Sequence, residues 1–324
     1  MILEVVYEFV IAILIGLTQG ITEFLPISST AHMRIVAGLL AENRDIGQAT
    51  GNFIQLGTVI AVVIYFWAEL KEFWFRSWQL VLSRKERKRF VNTLNTWIRG
   101  RHFDLDNADH ITTVDITLAQ LAIATVPIAI IGFILRDITK DIRDFYSIAG
   151  FLLFGSGLMA FSEYTHRIIS NARPRPFAFY TLPEVVLIGL FQTLAIFPGV
   201  SRSGATLAGT LMLGHERKGA VRFSFLLSLP ALILAGLLSV YDLFVAFGNS
   251  ELSIIPGQGL FTEFGIQLSI VSLVIAAITA FVSGYVSLRW LLKYLSSNSF
   301  RPFIIYRLLL VAFLVGAIFF GFTG

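Results

Sequence analysis

The chain has 324 residues, 56% of them hydrophobic and 14% charged, with a formal net charge of +4. Charged residues make up roughly a quarter of a soluble globular domain, so too little charge is present to cover a water-facing surface. That argues against a cytosolic enzyme, a disordered segment and a nucleic-acid-binding module, and a mean hydropathy of +0.75 points to a polytopic membrane protein. With no cysteine, disulfide staples and thiolate metal sites are excluded.

A helix that crosses a bilayer needs about 20 mostly apolar residues. The first apolar stretch, 5–40, is interrupted by QGITEFLPISSTAH. No Lys or Arg precedes Arg34, so this stretch lacks the basic region of a signal peptide. Spans are then expected at 53–67, 116–135 and 147–161. A second interrupted stretch follows at 185–213, broken by FPGVSRSGAT, and three more spans are expected at 223–244, 266–286 and 303–320. Each interruption puts proline, hydroxyl side chains and an ionisable group where a span is most apolar. Such backbone is tolerated at membrane depth only when packed in protein or lining a wet cavity.

Charge sets the orientation. The connection 71–101 holds nine of the 25 Lys and Arg and is expected on the cytoplasmic side. The connections 166–175, 217–222 and 289–301 favour the same side, whereas 242–263 carries three acids and no Lys or Arg and is expected outside. Counting crossings, 185–213 dips in from the cytoplasm and returns, 5–40 does so from outside, and both termini lie outside. The fold expected is all-α: six transmembrane helices plus two re-entrant helical hairpins in a single membrane domain.

A shift of 173 residues lays IGLTQGITEFLPISSTA on IGLFQTLAIFPGVSRSG without a gap. Ile15, Gly16, Leu17, Gln19, Phe24 and Ser28 meet identical residues at Ile188, Gly189, Leu190, Gln192, Phe197 and Ser201. An odd number of spans between the copies makes the repeat inverted in topology, with one copy over about 1–163 and the other over about 184–324. Inverted repeats with broken helices place a binding site where the breaks meet. The basic segment 70–112 is an insertion in the first copy.

The first break offers Gln19, Glu23, Ser28, Ser29, Thr30 and His32. Glu23 lies one turn after Gln19, Pro26 ends that helix, and the hydroxyls after it can cap the next. In the second break, Gly199 allows a tight turn and Ser201 or Ser203 can cap a helix whose N-terminus favours an anion. Arg202 adds a planar fork suited to phosphate, and Thr206 is a further hydroxyl one turn on. Together these residues form an anion cradle (Ser201, Arg202, Ser203, Thr206) facing a hydroxyl, an imidazole and a carboxylate, the logic of nucleophilic catalysis and phosphoryl transfer. A structural Glu23–Arg202 ion pair is the plainer alternative. Residue types alone do not separate a phosphatase from a lipid-phosphate flippase or anion transporter on the same scaffold.

These residues carry a resemblance. QGITEFLPISSTAH resembles the glutamate-rich motif, and PGVSRSGAT the arginine motif, of the bacterial undecaprenyl-diphosphate phosphatase family; IQLGTVIAVV and PFIIYR are similar to further family segments. The resemblance implies hydrolysis of undecaprenyl diphosphate to the monophosphate in the bacterial plasma membrane, with the site facing outward. It also implies recycling of the lipid carrier for peptidoglycan synthesis, and a link to bacitracin resistance. Glu23, Ser29, His32 and Arg202 match the family's catalytic positions, and Ser28, Ser201, Ser203 and Thr206 its supporting ones. A divalent cation, Mg²⁺ or Ca²⁺, is also implied, with Glu23 and Gln19 as its ligands, although Gln19 stands where many members carry Glu. Either Ser29 or His32 fits the role of nucleophile. The partners expected are a polyprenyl diphosphate, membrane lipids and a second copy of the chain.

Two features rank lower. The run Arg84–Arg89 near Trp74, Phe75 and Trp78 fits an interfacial helix on anionic lipid or a solvated basic face. Asp104, Asp106 and Asp109 mimic a calcium loop but lack its glycine.

Overall fold

The computed structural model describes residues 2–40, 48–99, 110–135, 142, 144–172, 180–248 and 268–320. Among them are twelve α-helices and no strand. In chain order these are α1 (Ile2–Phe24), α2 (Ser29–Leu40), α3 (Gln48–Tyr65), α4 (Trp67–Leu82), α5 (Arg84–Ile98) and α6 (His110–Leu135). The second half has α7 (Phe145–Ala172), α8 (Leu182–Thr193), α9 (Arg202–Met212), α10 (Arg217–Gly248), α11 (Ile270–Leu295) and α12 (Arg301–Phe319). Asp104, Asp106 and Asp109 lie outside the described residues.

Five helices (α1, α6, α7, α11 and α12) are long and apolar enough to cross a membrane, or up to six spans if α3 and α4, bent by 76°, count as one. Their outer faces carry apolar rows at helical spacing, such as Ile278, Val282 and Val286 on α11 and Leu309 and Phe313 on α12, all exposed. Large contiguous apolar surface of this kind is not tolerated in water. The chain is a multi-pass membrane protein. The stretch expected at 223–244 falls within α10.

The two breaks lie between paired helices, α1 with α2 and α8 with α9. α1 runs parallel to α11: the Glu8 carboxylate accepts from the Ser269 amide, and further along Gly16 lies on the Ala276 carbonyl and Gly20 on that of Ala280. Gly16 has no room for a side chain, since a Cβ would stand 2.4 Å from the Ala276 oxygen. α2 then doubles back, so that Ala37 shares a cluster with Ile11 and Ile15. In the other hairpin α8 packs along α6, with Gly189 against the Ala124 carbonyl, and α9 returns beside α7 and α10. Gly16 and Gly189 are equivalent under the 173-residue shift, and each packs its broken segment onto a helix from the other half of the chain.

The first break is short and falls where Pro26 was expected to end the helix. α1 continues to Phe24, because Gln19 and Glu23 bond to each other one turn apart and Thr22 returns its hydroxyl to the Thr18 carbonyl. Only 25–28 is non-helical, at Pro26, whose ring cannot continue a helix. The second break follows a single 3₁₀ turn, Leu194–Ile196.

The basic insertion is a helical hairpin rather than a loop. Ser83 caps α5 by accepting from the Glu86 amide at 3.3 Å. Arg76, buried on α4, forks onto fully buried Asp115 of α6 at 2.6 and 2.9 Å and donates to Glu86 at 2.6 Å. α4 turns Trp74, Phe75, Trp78, Val81 and Leu82 outward.

Candidate active site

The two hairpin tips meet in a pocket of about 260 Å³. Gln19, Glu23, Ser28, Ser29 and Thr30 form one side, and Gly199, Ser201 and Arg202 the other. Met33, Ile148 and Phe197 supply an apolar wall.

Both tips solve the same backbone problem in the same way. Ser28 and Ser201, equivalent under the repeat, take φ of 74° and 76°, the only non-glycine residues with positive φ among those described. Each then caps the helix it opens: the Ala31 amide donates to Ser28 Oγ and the Gly204 amide to Ser201 Oγ, both at 3.4 Å. Strained backbone of this kind persists where the surroundings over-determine it. Here it aims two helix N-termini, with their unbonded amides and positive dipole ends, at one space. Gly199, at φ 108°, permits the turn before Ser201 and sits against the Ile148 carbonyl.

The hydroxyl of Ser29 donates to Glu23 Oε2 at 2.8 Å, and Gln19 Nε2 donates to the same oxygen at 3.0 Å. Glu23 Oε1 has no hydrogen-bond partner among the described residues. Arg202 NH1 is buried and likewise has no partner there, and no ion pair joins Arg202 to Glu23. A buried guanidinium nitrogen without an acceptor is costly unless a ligand supplies one.

Three expected residues stand outside the pocket wall. His32 does not face the Ser29 hydroxyl: its Nδ1 donates to the Ser28 carbonyl at 2.7 Å, and its Nε2 lies 2.6 Å from the Tyr306 hydroxyl, whose ring stacks on it at 8°. Since the carbonyl can only accept, Nδ1 carries a hydrogen, and in the neutral ring Nε2 then accepts from Tyr306. Thr206 is fully buried and returns its hydroxyl to the Arg202 carbonyl at 2.8 Å. Ser203 lies behind Ser201, their hydroxyls 3.2 Å apart. These residues support the cradle's backbone rather than line it.

Sequence reasoning missed two arginines, one that joins the tips and one that lines the pocket. Arg307 is fully buried and donates to the Pro26 carbonyl in one break at 3.3 Å and the Gly199 carbonyl in the other at 2.9 Å. It also bonds Ser156 Oγ and the Leu152 carbonyl, each at 2.9 Å. Gly155 leaves it room, since a Cβ there would stand 2.5 Å from NH2. Arg34, which lies over the Phe145 ring at 5.6 Å, adds a second guanidinium to the pocket; its position one turn after Thr30 was the available signal.

Among the described residues no three His, Asp or Glu side chains group as metal ligands. A Mg²⁺ ion is commonly bound by one or two carboxylates plus substrate phosphate oxygens, and Glu23 with its free Oε1 fits that pattern. The Gln19 amide turns its NH₂ toward Glu23.

The family described as "Bacitracin resistance protein BacA" matches residues 12–313. A protein named undecaprenyl-diphosphatase from Acidothermus cellulolyticus is 33% identical over 312 residues, covering 95% of each chain. Proteins of the same name from Micrococcus luteus and Chlorobium phaeovibrioides are each 35% identical over 301 residues, covering 92% of this chain and 93% of theirs. The chain belongs to the BacA family of bacitracin resistance proteins.

Proposed function

We propose that the chain is a membrane phosphatase that hydrolyses undecaprenyl diphosphate to undecaprenyl phosphate and inorganic phosphate, returning the carrier lipid to cell-wall synthesis. The observation that carries this reading is one pocket holding a hydroxyl bonded to a carboxylate opposite a buried, partnerless arginine nitrogen. Transport needs an anion cradle but no such pair, and the relatives named above are diphosphatases.

In this reading the diphosphate enters between the hairpin tips, its charge met by Arg202 and the amides that open α2 and α9. The prenyl chain leaves along Met33, Ile148 and Phe197. Ser29 Oγ attacks the terminal phosphorus and gives its proton to Glu23 Oε2. The bond from that phosphorus to the bridging oxygen breaks, and undecaprenyl phosphate departs with the electron pair. Glu23 releases that proton to the departing phosphate; water then attacks the phosphoserine, Glu23 takes its proton and returns it to Ser29 Oγ as the phosphorus–Oγ bond breaks and inorganic phosphate leaves. His32, bonded to the Ser28 carbonyl and to Tyr306, fixes the turn that aims Ser29. A divalent cation held by Glu23 and phosphate oxygens would neutralise charge on the diphosphate.

The Lys/Arg bias supports the finer topology: six spans, both hairpins re-entrant, both termini outside and the pocket open outward. Phosphate release from a polyprenyl diphosphate by purified protein tests the activity. Rapid release in the parent and a loss of ~10²-fold or more in Arg202→Lys is expected, in line with removal of one oriented donor. No release by the parent would overturn the reading.

A further inference from the structure

A second cavity of about 800 Å³ lies at the other end of α7. From Ile148 in the first pocket to Arg167 in the second is 19 helical residues, about 28 Å at 1.5 Å per residue. That is close to the ~30 Å hydrocarbon thickness. With the first pocket open to one face, as proposed above, that separation puts this cavity toward the opposite leaflet.

Its polar half is basic. Arg217 is committed to Glu163 by two bonds of 2.9 and 2.7 Å, and Glu163 also accepts from the Phe300 amide at 2.6 Å, so the cavity's one carboxylate is neutralised. His166 gives its Nδ1 hydrogen to the Leu211 carbonyl. Arg167 and Arg301 remain, both exposed and without an ion pair among the described residues, and Ser170 lines the same cavity. The other half is apolar: Ile304, Ile305 and Tyr164 line it, and Ile305 continues into the exposed row with Leu309. A free anion has no use for that second half, whereas a lipid fills both. Nothing in the proposed hydrolysis uses this cavity.

We infer that this cavity binds the phosphate headgroup of an anionic membrane lipid through Arg167 and Arg301, with an acyl chain along Ile304 and Ile305. The test is native mass spectrometry of the full-length protein exchanged from mixed vesicles of phosphatidylglycerol and phosphatidylcholine with identical chains. The parent is expected to retain phosphatidylglycerol ~10-fold over phosphatidylcholine, as for two charge-assisted contacts. Arg167→Gln/Arg301→Gln should lose that preference, Arg167→Lys/Arg301→Lys should keep part of it, and detergent-phase hydrolysis should be unchanged in both. An undiminished preference for phosphatidylglycerol in the Gln double variant would overturn the assignment. So would displacement of the retained lipid by millimolar inorganic phosphate, which would mark a free-anion site.

Discussion

Ser28 and Ser201, separated by 173 residues, adopt the same left-handed backbone and cap their helices on the same third residue. Two opposing effects meet at each serine: a Cβ penalty of ~1–2 kcal/mol for the backbone and a cap of ~1 kcal/mol from the hydroxyl.

Substitution at Ser201 separates them. Ser201→Ala keeps the penalty and loses the cap, whereas Ser201→Gly loses both. Thermal denaturation in detergent should rank the parent and Ser201→Gly close together, with Ser201→Ala less stable by about 1 kcal/mol. An alanine variant as stable as the glycine one would show that the positive φ is not maintained.

The 2.8 Å bond from Ser29 to Glu23 makes them one catalytic unit in the proposed reaction. Ser29→Ala and Glu23→Gln should each cut kcat by ~10³-fold, and the double variant should be little worse than either, as for residues that act together. Steady-state phosphate release measures the cycle; multiplicative losses would separate their roles. Isolation of phosphohistidine from a quenched reaction would transfer the nucleophile to His32.

Arg307 joins the hairpins through carbonyls on both tips. Arg307→Met leaves the Pro26, Gly199 and Leu152 carbonyls without this donor, at roughly 1–3 kcal/mol for each buried group left unmade. Stability and hydrolysis should fall together, while Tyr306→Phe, which removes only the donor to His32, should leave the melting temperature nearly unchanged and lower kcat by ~10-fold. Retained activity in Arg307→Met would mean that the tips are positioned without it.

The two tips were legible because their own residues carry the signal: a repeat in register, Pro26 and Gly199 as breakers, and hydroxyls at the cap positions. The partners were not. Tyr306 reaches His32 across 274 residues and Arg307 reaches Pro26 across 281, distances over which local pattern carries no information. Spacing allowed His32 to serve Ser28 or Ser29; which face it took was decided by α12, which offers a ring to stack on. The insertion was legible as charge but not as shape, since a basic run hides that buried Arg76 is spent on Asp115. The path of α1 through Gln19 and Glu23 was legible from their one-turn spacing ahead of Pro26; their bond to each other was not fixed by it.

The Arg76 network ties the α4–α5 hairpin to α6, away from the pocket. Asp115→Asn should cost about 3–5 kcal/mol, the usual effect of breaking a buried pair on one side, with hydrolysis per folded molecule unchanged. Glu86 gives the same network a pH dependence. The hydrogen bond from Arg76 holds the Glu86 carboxyl below the ordinary glutamate range, against a smaller opposing effect of burial. A group whose pKa is lower folded than unfolded stabilises the fold above its unfolded pKa, and that contribution is lost as pH falls through the folded value. The parent should therefore lose melting temperature more steeply than Glu86→Gln as the pH drops below ~4.3, the ordinary glutamate value. At pH 7 the parent should be the more stable of the two. Parallel acid limbs in the two proteins would show that Glu86 is not coupled to Arg76 in solution.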